Sequence, residues 1–220
     1  MSVNVEAYHS IQQEFVKQSV TLVAVSKLKP ASDIEDLYKE GQRDFGENYV
    51  QELVDKQAVL PSTINWHFIG HLQSNKVKYI APFVHLIHGV DSLKLLQEIN
   101  KQALKNNRVI DCLLQVHIAK EETKFGMDAH ELSAALEAAK QLPNVNIKGL
   151  MGMASFSDNQ ELVATEFKYL QGLFTTHHFD KQPASILSMG MSADYPLAIA
   201  AGSNMVRIGS LLFGARVVKH

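Results

Sequence analysis

The sequence predicts a closed barrel of eight parallel strands with helices outside, a (β/α)₈ fold preceded by an amino-terminal helix. Three observations carry this. Short, nearly all-apolar runs alternate with amphipathic stretches along the whole chain, the pattern of a parallel sheet covered on both faces. Eight such runs fit within 220 residues, and a (β/α)₈ barrel needs roughly 200 at minimum. The turn after the first run, KLKPAS at 27–32, contains no glycine, whereas an open doubly wound sheet commonly carries a Gly-x-Gly-x-x-Gly turn there.

The elements follow in order. A helix over 4–18 leads into an apolar, β-branched strand at 22–26. A helix over 31–40 has Ser32 ahead of Asp33 as its start signal. A short strand at 44–46, a helix over 50–59 and a strand at 64–70 come next, then a helix over 73–80 and a strand at 84–90. Asp91-Ser92 starts the helix over 92–106, where Leu93, Leu96, Ile99 and Leu104 recur at helical spacing with lysines between. The run VIDCLLQV marks a strand within 109–118, followed by a helix over 129–141 and a strand at 147–153. Ser157-Asp158 starts a helix over 159–177. A strand at 185–189, a helix over 193–201 and a strand at 205–208 complete the set. No low-complexity or Pro/Gly/Ser-rich linker interrupts the series, so residues 1–220 are expected to form one barrel domain.

Bulk properties narrow the function. Lys+Arg 21 against Asp+Glu 23 gives a net charge of -2 with no block of like charges, which argues against an electrostatic grip on nucleic acid or membrane. The single cysteine, Cys112, cannot form an internal disulfide. The amino terminus lacks a basic region followed by an apolar stretch, and no run approaches the roughly 18 apolar residues of a spanning helix. The expectation is a cytoplasmic protein.

In such a barrel, chemistry sits at the carboxyl ends of the strands, and phosphate is frequently held by the loops after strands seven and eight. Two glycine-bearing rims fall there: Ser188-Met189-Gly190-Met191-Ser192 and Arg207-Ile208-Gly209-Ser210. Ser192 reads as a helix cap ahead of free N–H groups, although Asp194 already puts a carboxylate in that first turn. The alternative for both rims is tight turns and ordinary capping. Lys27 ends strand one. It reads either as a solvated head on a buried stem, as Lys29 does, or as an amine kept partly neutral by desolvation and able to attack an aldehyde. Together Lys27, Arg207, Gly209 and Ser210 are equipment for holding a phosphorylated aldehyde, with the arginine at a ring nitrogen.

Other candidates are weaker. Glu47 and Asn48 sit at the rim of strand two, where they could face a ligand, while Glu52 and Asp55 read as solvated helix face. His67 and His71 flank strand three. Alternation puts His85 and His88 on opposite faces of strand four, against a zinc pair. His177-His178 closes a helix, and Trp66 reads as packing. Lys124-Phe125-Gly126 places a cation near the mouth. No Ser-His-Asp or Cys-His arrangement is legible.

The segments AVSKLKP, FGENYVQE, WHFIGHLQSNK, GLMGM, SMGMSADYPLAI and VRIGSLLFGAR, in this order between residues 21 and 216, together resemble the pyridoxal 5′-phosphate (PLP) homeostasis proteins. The resemblance implies a barrel like the amino-terminal domain of alanine racemase, with PLP as a Schiff base (internal aldimine) on Lys27. It implies that Asn48 belongs to the cofactor site, that Ser188, Met189, Gly190, Ser192, Gly209 and Ser210 serve the phosphate, and that Arg207 faces the pyridine nitrogen. The racemases' Arg–Leu–Gly element maps onto Lys124-Phe125-Gly126, where lysine cannot copy a guanidinium fork.

A racemase needs two opposed acid–base groups, and in alanine racemase the second comes from a further domain that this sequence is not expected to supply. The resemblance therefore implies a carrier of PLP rather than an enzyme with robust turnover. Such a carrier would be monomeric, keep free aldehyde low, serve apo PLP-dependent enzymes and influence amino-acid and keto-acid balance. The alternatives are a racemase-like PLP enzyme whose second base comes from a partner, and a barrel isomerase acting on a sugar phosphate.

Overall fold

The computed structural model describes residues 3–121, 124–177, 179 and 185–214. Eight strands, β1 (Thr21–Val25), β2 (Asp44–Glu47), β3 (Asn65–Phe68), β4 (Leu86–Val90), β5 (Ile110–Gln115), β6 (Val145–Met151), β7 (Ile186–Met191) and β8 (Met205–Ile208), pair in sequence order into a closed barrel. All pairings are parallel, and β1 closes on β8 with Thr21 opposite Met205 and Val23 opposite Arg207. The predicted fold class is therefore the observed one. His178, Ala215 and Arg216, used in the sequence reading, lie outside the described residues.

Outside the strands run α1 (Val5–Gln18), α2 (Ala31–Lys39), α3 (Val50–Val59), α4 (Val77–Ile80, after a 3₁₀ turn at Ser74–Lys76), α5 (Leu93–Lys105), α6 (Ala129–Ala139), α7 (Gln160–Thr176), α8 (Tyr195–Ala200) and α9 (Ser210–Phe213). Side-chain caps start several of them. Asn4 Oδ1 accepts from Ala7 N, Ser92 Oγ from Leu95 N, and Asn159 Oδ1 from Leu162 N. Asp128 and Glu131 form a reciprocal capping box. Helix α2 starts at Ala31 as expected, but Pro30 holds the cap position, so Ser32 lies inside the first turn and caps nothing. The Ser157-Asp158 signal is also displaced, since Asn159 is the cap.

Two apolar shells explain why the strands read as almost continuous hydrophobic runs. Val23, Leu86, Leu113, Met151 and Met205 form a small cluster inside the barrel. Their neighbours along the strands, such as Leu22, Ala24, Ile87, Leu114, Leu150 and Val206, join the large cluster shared with the helices. Trp66 belongs to that outer shell, 3 % exposed beside Phe45. In α5 the buried stripe is Leu95, Leu96, Ile99 and Ala103. Leu104, expected in it, points to solvent because the helix meets the barrel one position earlier.

Helix α1 covers β1 and reaches the other end of the chain. Asn4 N–H donates to Leu212 O, and Phe15 packs edge-on against Tyr195. It thereby links β1 to α8 and α9, the helices on either side of the last strand.

Candidate functional site

The carboxyl ends of the strands surround a cleft of about 470 Å³. From the β1 end come Val25, Lys27 and Lys29, and from the β2 end Asn48. Met191, Ser192 and Asp194 line it after β7, and Arg207, Gly209 and Ser210 at the end of β8. Lys124 faces it from the loop after β5. Four cations and one carboxylate among these residues favour an anionic occupant.

Arg207 is the most constrained of them. It is 3 % exposed, donates from Nη1 to Ser188 Oγ (2.6 Å) and from Nη2 to Gly152 O (3.0 Å). Among the described residues it forms no carboxylate ion pair. Burial therefore pulls its pKa down to about 10, with only the field of Asp194 acting the other way. A buried guanidinium without a counter-charge is costly, so the cleft presents a strong demand for an acceptor.

Strand one ends in a pinned turn. Leu28 adopts a left-handed conformation (φ 61°), which is costly for a bulky side chain. Its N–H donates to Glu52 Oε1 (2.6 Å). Lys56 Nζ then joins Glu52 to Glu47, 2.7 Å from each, and donates to Ser26 O at 2.8 Å. Ser26 Oγ also donates to Glu47 Oε1 (2.7 Å). This network holds both residues flanking Lys27. Burial outweighs Lys56 and raises Glu47 to about 6. Glu47 thus faces α3 rather than the cleft, and Glu52 is a half-buried partner rather than solvated helix face. Neither assignment was visible in sequence, because nothing local shows which face of α3 meets the β1 end.

Asn48, the next residue, lines the cleft, and its Oδ1 is buried without a hydrogen-bond partner among the described residues. The backbone there is pressed by Gly70, where any Cβ would come within 2.3 Å of Asn48 O. Lys29 Nζ donates to Phe213 O, so it ties the first loop to the last instead of standing in solvent. Lys124 Nζ donates to Ala154 O at 2.5 Å.

The two glycine rims divide. Ser192 is not a helix cap: its Oγ accepts from Gly209 N (3.3 Å), joining the two rims at the cleft. Asp194 occupies the cap position of α8 and accepts from Met191 N (2.6 Å). Gly209 and Ser210 line the cleft as expected. Ser188, Met189 and Gly190 do not line it. They lie inside β7, buried, with Met189 in the outer core. Gly190 (φ 92°) is required there, since a Cβ would sit 2.6 Å from Ala198 Cβ. The sequence pattern identified the rim but not the residue at which strand becomes loop.

Beneath the cleft runs a polar line through the barrel that the sequence did not reveal. Asp44 Oδ1 accepts from His67 Nε2 (2.9 Å), His67 Nδ1 meets His88 Nε2 (2.9 Å), and His88 Nδ1 meets Ser188 Oγ (3.2 Å). The Arg207 guanidinium completes it. Burial, with the nearby Arg207 cation, keeps His88 well below the usual histidine range, hence neutral. Burial opposes the Asp44 carboxylate, but the hydrogen bonds it accepts, first from His67 and then from Asn65, help lower its pKa below the ordinary value. His85 precedes β4, outside the alternation that seemed to separate it from His88. Its ring lies 5.3 Å from that of His67, which thus has both histidines as neighbours.

Comparison with known proteins defines the class. Residues 6–217 match the family model for the alanine racemase, N-terminal domain. An alanine racemase from Bartonella henselae superposes with a TM-score of 0.70 at 17% identity, over 95% of this chain and 59% of that one, and shares the fold. Within that class the chain belongs to the pyridoxal phosphate homeostasis proteins. A protein of that name from Aquifex aeolicus is 43% identical over 197 residues, 89% of this chain and 86% of the relative. PipY of Synechococcus elongatus, solved with PLP bound, superposes with a TM-score of 0.85 at 37% identity, covering 95% of this chain and 99% of PipY.

Proposed function

We propose that this chain binds PLP in the cleft, holds it covalently as a Schiff base on Lys27, and acts as a carrier in PLP homeostasis rather than as an enzyme. The observation that carries the reading is Arg207: a buried cation with no carboxylate ion pair among the described residues, opening onto the same cleft as Lys27. The unpartnered Asn48 Oδ1 at the cleft wall fits an incoming polar ring. Ser192, Gly209 and Ser210 offer hydroxyl and backbone groups suited to the phosphate, while Ser188, Met189 and Gly190 support that rim from behind. The solved complex of PipY with PLP agrees with this choice of ligand.

When bound, PLP supplies an aldehyde for attachment to an amine and a conjugated ring that withdraws electrons from the attached group. Arg207 at the pyridine nitrogen disfavours ring protonation and so damps that withdrawal. A holder benefits from this damping, whereas most PLP enzymes do not. The proposed setting is the cytoplasm, with the chain as a monomer that limits free aldehyde, serves apo PLP-dependent enzymes and thereby influences amino-acid and keto-acid balance.

Borohydride treatment of the PLP-loaded protein followed by mass mapping tests the attachment. One phosphopyridoxyl group on Lys27 is expected, absent in Lys27→Ala; an adduct only on Lys29 or Lys124 overturns the assignment. Steady-state racemisation or transamination assays test the carrier reading. Turnover in the common enzyme range of about 1–10³ s⁻¹, lost in Lys27→Ala, would replace the carrier by an enzyme.

A further inference from the structure

We infer that Asp44, His67 and His85 form a binding site for a divalent transition-metal ion at the amino-terminal mouth of the barrel, the end opposite the cleft. The three residues each present one ligand atom, and these atoms lie within 4.8 Å of one another. Asp44 Oδ1 and His67 Nε2 are already 2.9 Å apart. Ligands about 2.0–2.1 Å from a tetrahedral zinc ion stand roughly 3.3 Å from each other. A side-chain rotation of the exposed His85 closes the remaining gap. Two imidazoles and one carboxylate suit zinc, cobalt or iron(II), whereas calcium and magnesium favour all-oxygen sets.

The surroundings are those of a supported site rather than a chance cluster. His67 is 1 % exposed, and its other ring nitrogen is held by His88, the outer contact that orients a metal-bound imidazole. Asn65 Nδ2 donates to Asp44 Oδ1 (3.2 Å), fixing that carboxylate. His85 and Asp44 reach solvent and give an ion its path. Asp111 adds negative charge nearby, and Arg108 adds positive charge held by the carbonyls of Ala81 and Val84.

Metal on His67 Nε2 also reverses the polar line. Without metal, the Asp44 carboxylate accepts, so Nε2 of His67, Nε2 of His88 and the Ser188 hydroxyl carry the protons. With metal, both imidazoles carry the proton on Nδ1. One proton leaves at His67 Nε2 and one is taken up at Ser188, so the number of protons along the line is unchanged and Ser188 stays a hydroxyl.

Calorimetric titration of the untagged full chain with Zn²⁺ and Co²⁺ tests the site. One saturable equivalent is expected, weakened by more than about tenfold in His85→Ala and in Asp44→Asn, and unchanged in His71→Ala. His85 is exposed, so its removal leaves the fold intact. Nitrogen NMR of the histidine rings should show His88 change tautomer on zinc addition. Absence of saturable binding, or binding that survives His85→Ala, overturns the inference.

Discussion

A single hydroxyl separates Arg207 from His88, and its place in the barrel decides what Ser188 does. The sequence pattern put Ser188 at the phosphate, because SMGMS resembles an anion-binding rim. The structure puts it under the cleft, accepting from Arg207 Nη1 at 2.6 Å and meeting His88 Nδ1 at 3.2 Å. Ser188→Ala therefore leaves two buried polar groups short of a partner, each worth about 1–3 kcal/mol. Urea unfolding of the variant should show a loss of that order. A phosphate ligand would behave otherwise, keeping stability and losing only cofactor affinity. The residues that were legible, Lys27, Arg207, Gly209 and Ser210, sit at strand ends where barrel geometry fixes their exposure. Ser188 lies three residues before the end of β7 at Met191, and alternation plus the register shift in β7 turns it inward.

At the scale of elements, the end of β1 is held by α3 through Glu47, Lys56 and Glu52, and this coupling has a pH signature. Strand and helix order could be read from hydrophobic period alone, but pairing between a strand end and a helix face is a tertiary fact. That is why Glu52 looked solvated. Glu47 titrates at about 6 in the folded protein, against an ordinary glutamate value near 4.3 in the unfolded chain. A raised folded pKa means the folded state binds the proton more tightly. The resulting stability is fully present below the unfolded pKa and is lost as pH rises through about 6. The contribution is about 2 kcal/mol. Denaturation at pH 4 and pH 7 should show that Glu47→Gln removes a loss of this size seen in the wild type. A carbon NMR titration of the Glu47 carboxyl should find its midpoint near 6.

For the whole molecule, the barrel was legible because each strand buries both faces, which leaves an apolar run, and each helix buries one. The polar line inside the barrel was not, because Asp44, His67, His88 and Ser188 come from four strands and meet only on closure. Closure also means that the cleft is built from both ends of the chain: Lys27 and Lys29 follow β1, Arg207 and Ser210 end β8, and α1 and α9 meet behind them. A ligand that links these parts stabilises the folded state alone. At a free concentration of 100 times its Kd, a ligand adds about 2.7 kcal/mol. A domain of this size gains about 2–4 °C in Tm per kcal/mol, so PLP should raise Tm by roughly 5–11 °C. Lys27→Ala keeps the Arg207 and phosphate contacts but loses the covalent link, so at the same PLP concentration its shift should be smaller and should disappear on gel filtration. Differential scanning calorimetry with and without PLP, on both proteins before and after desalting, measures this. Equal shifts in the two proteins, both lost on desalting, would mean that attachment to Lys27 contributes nothing to retention.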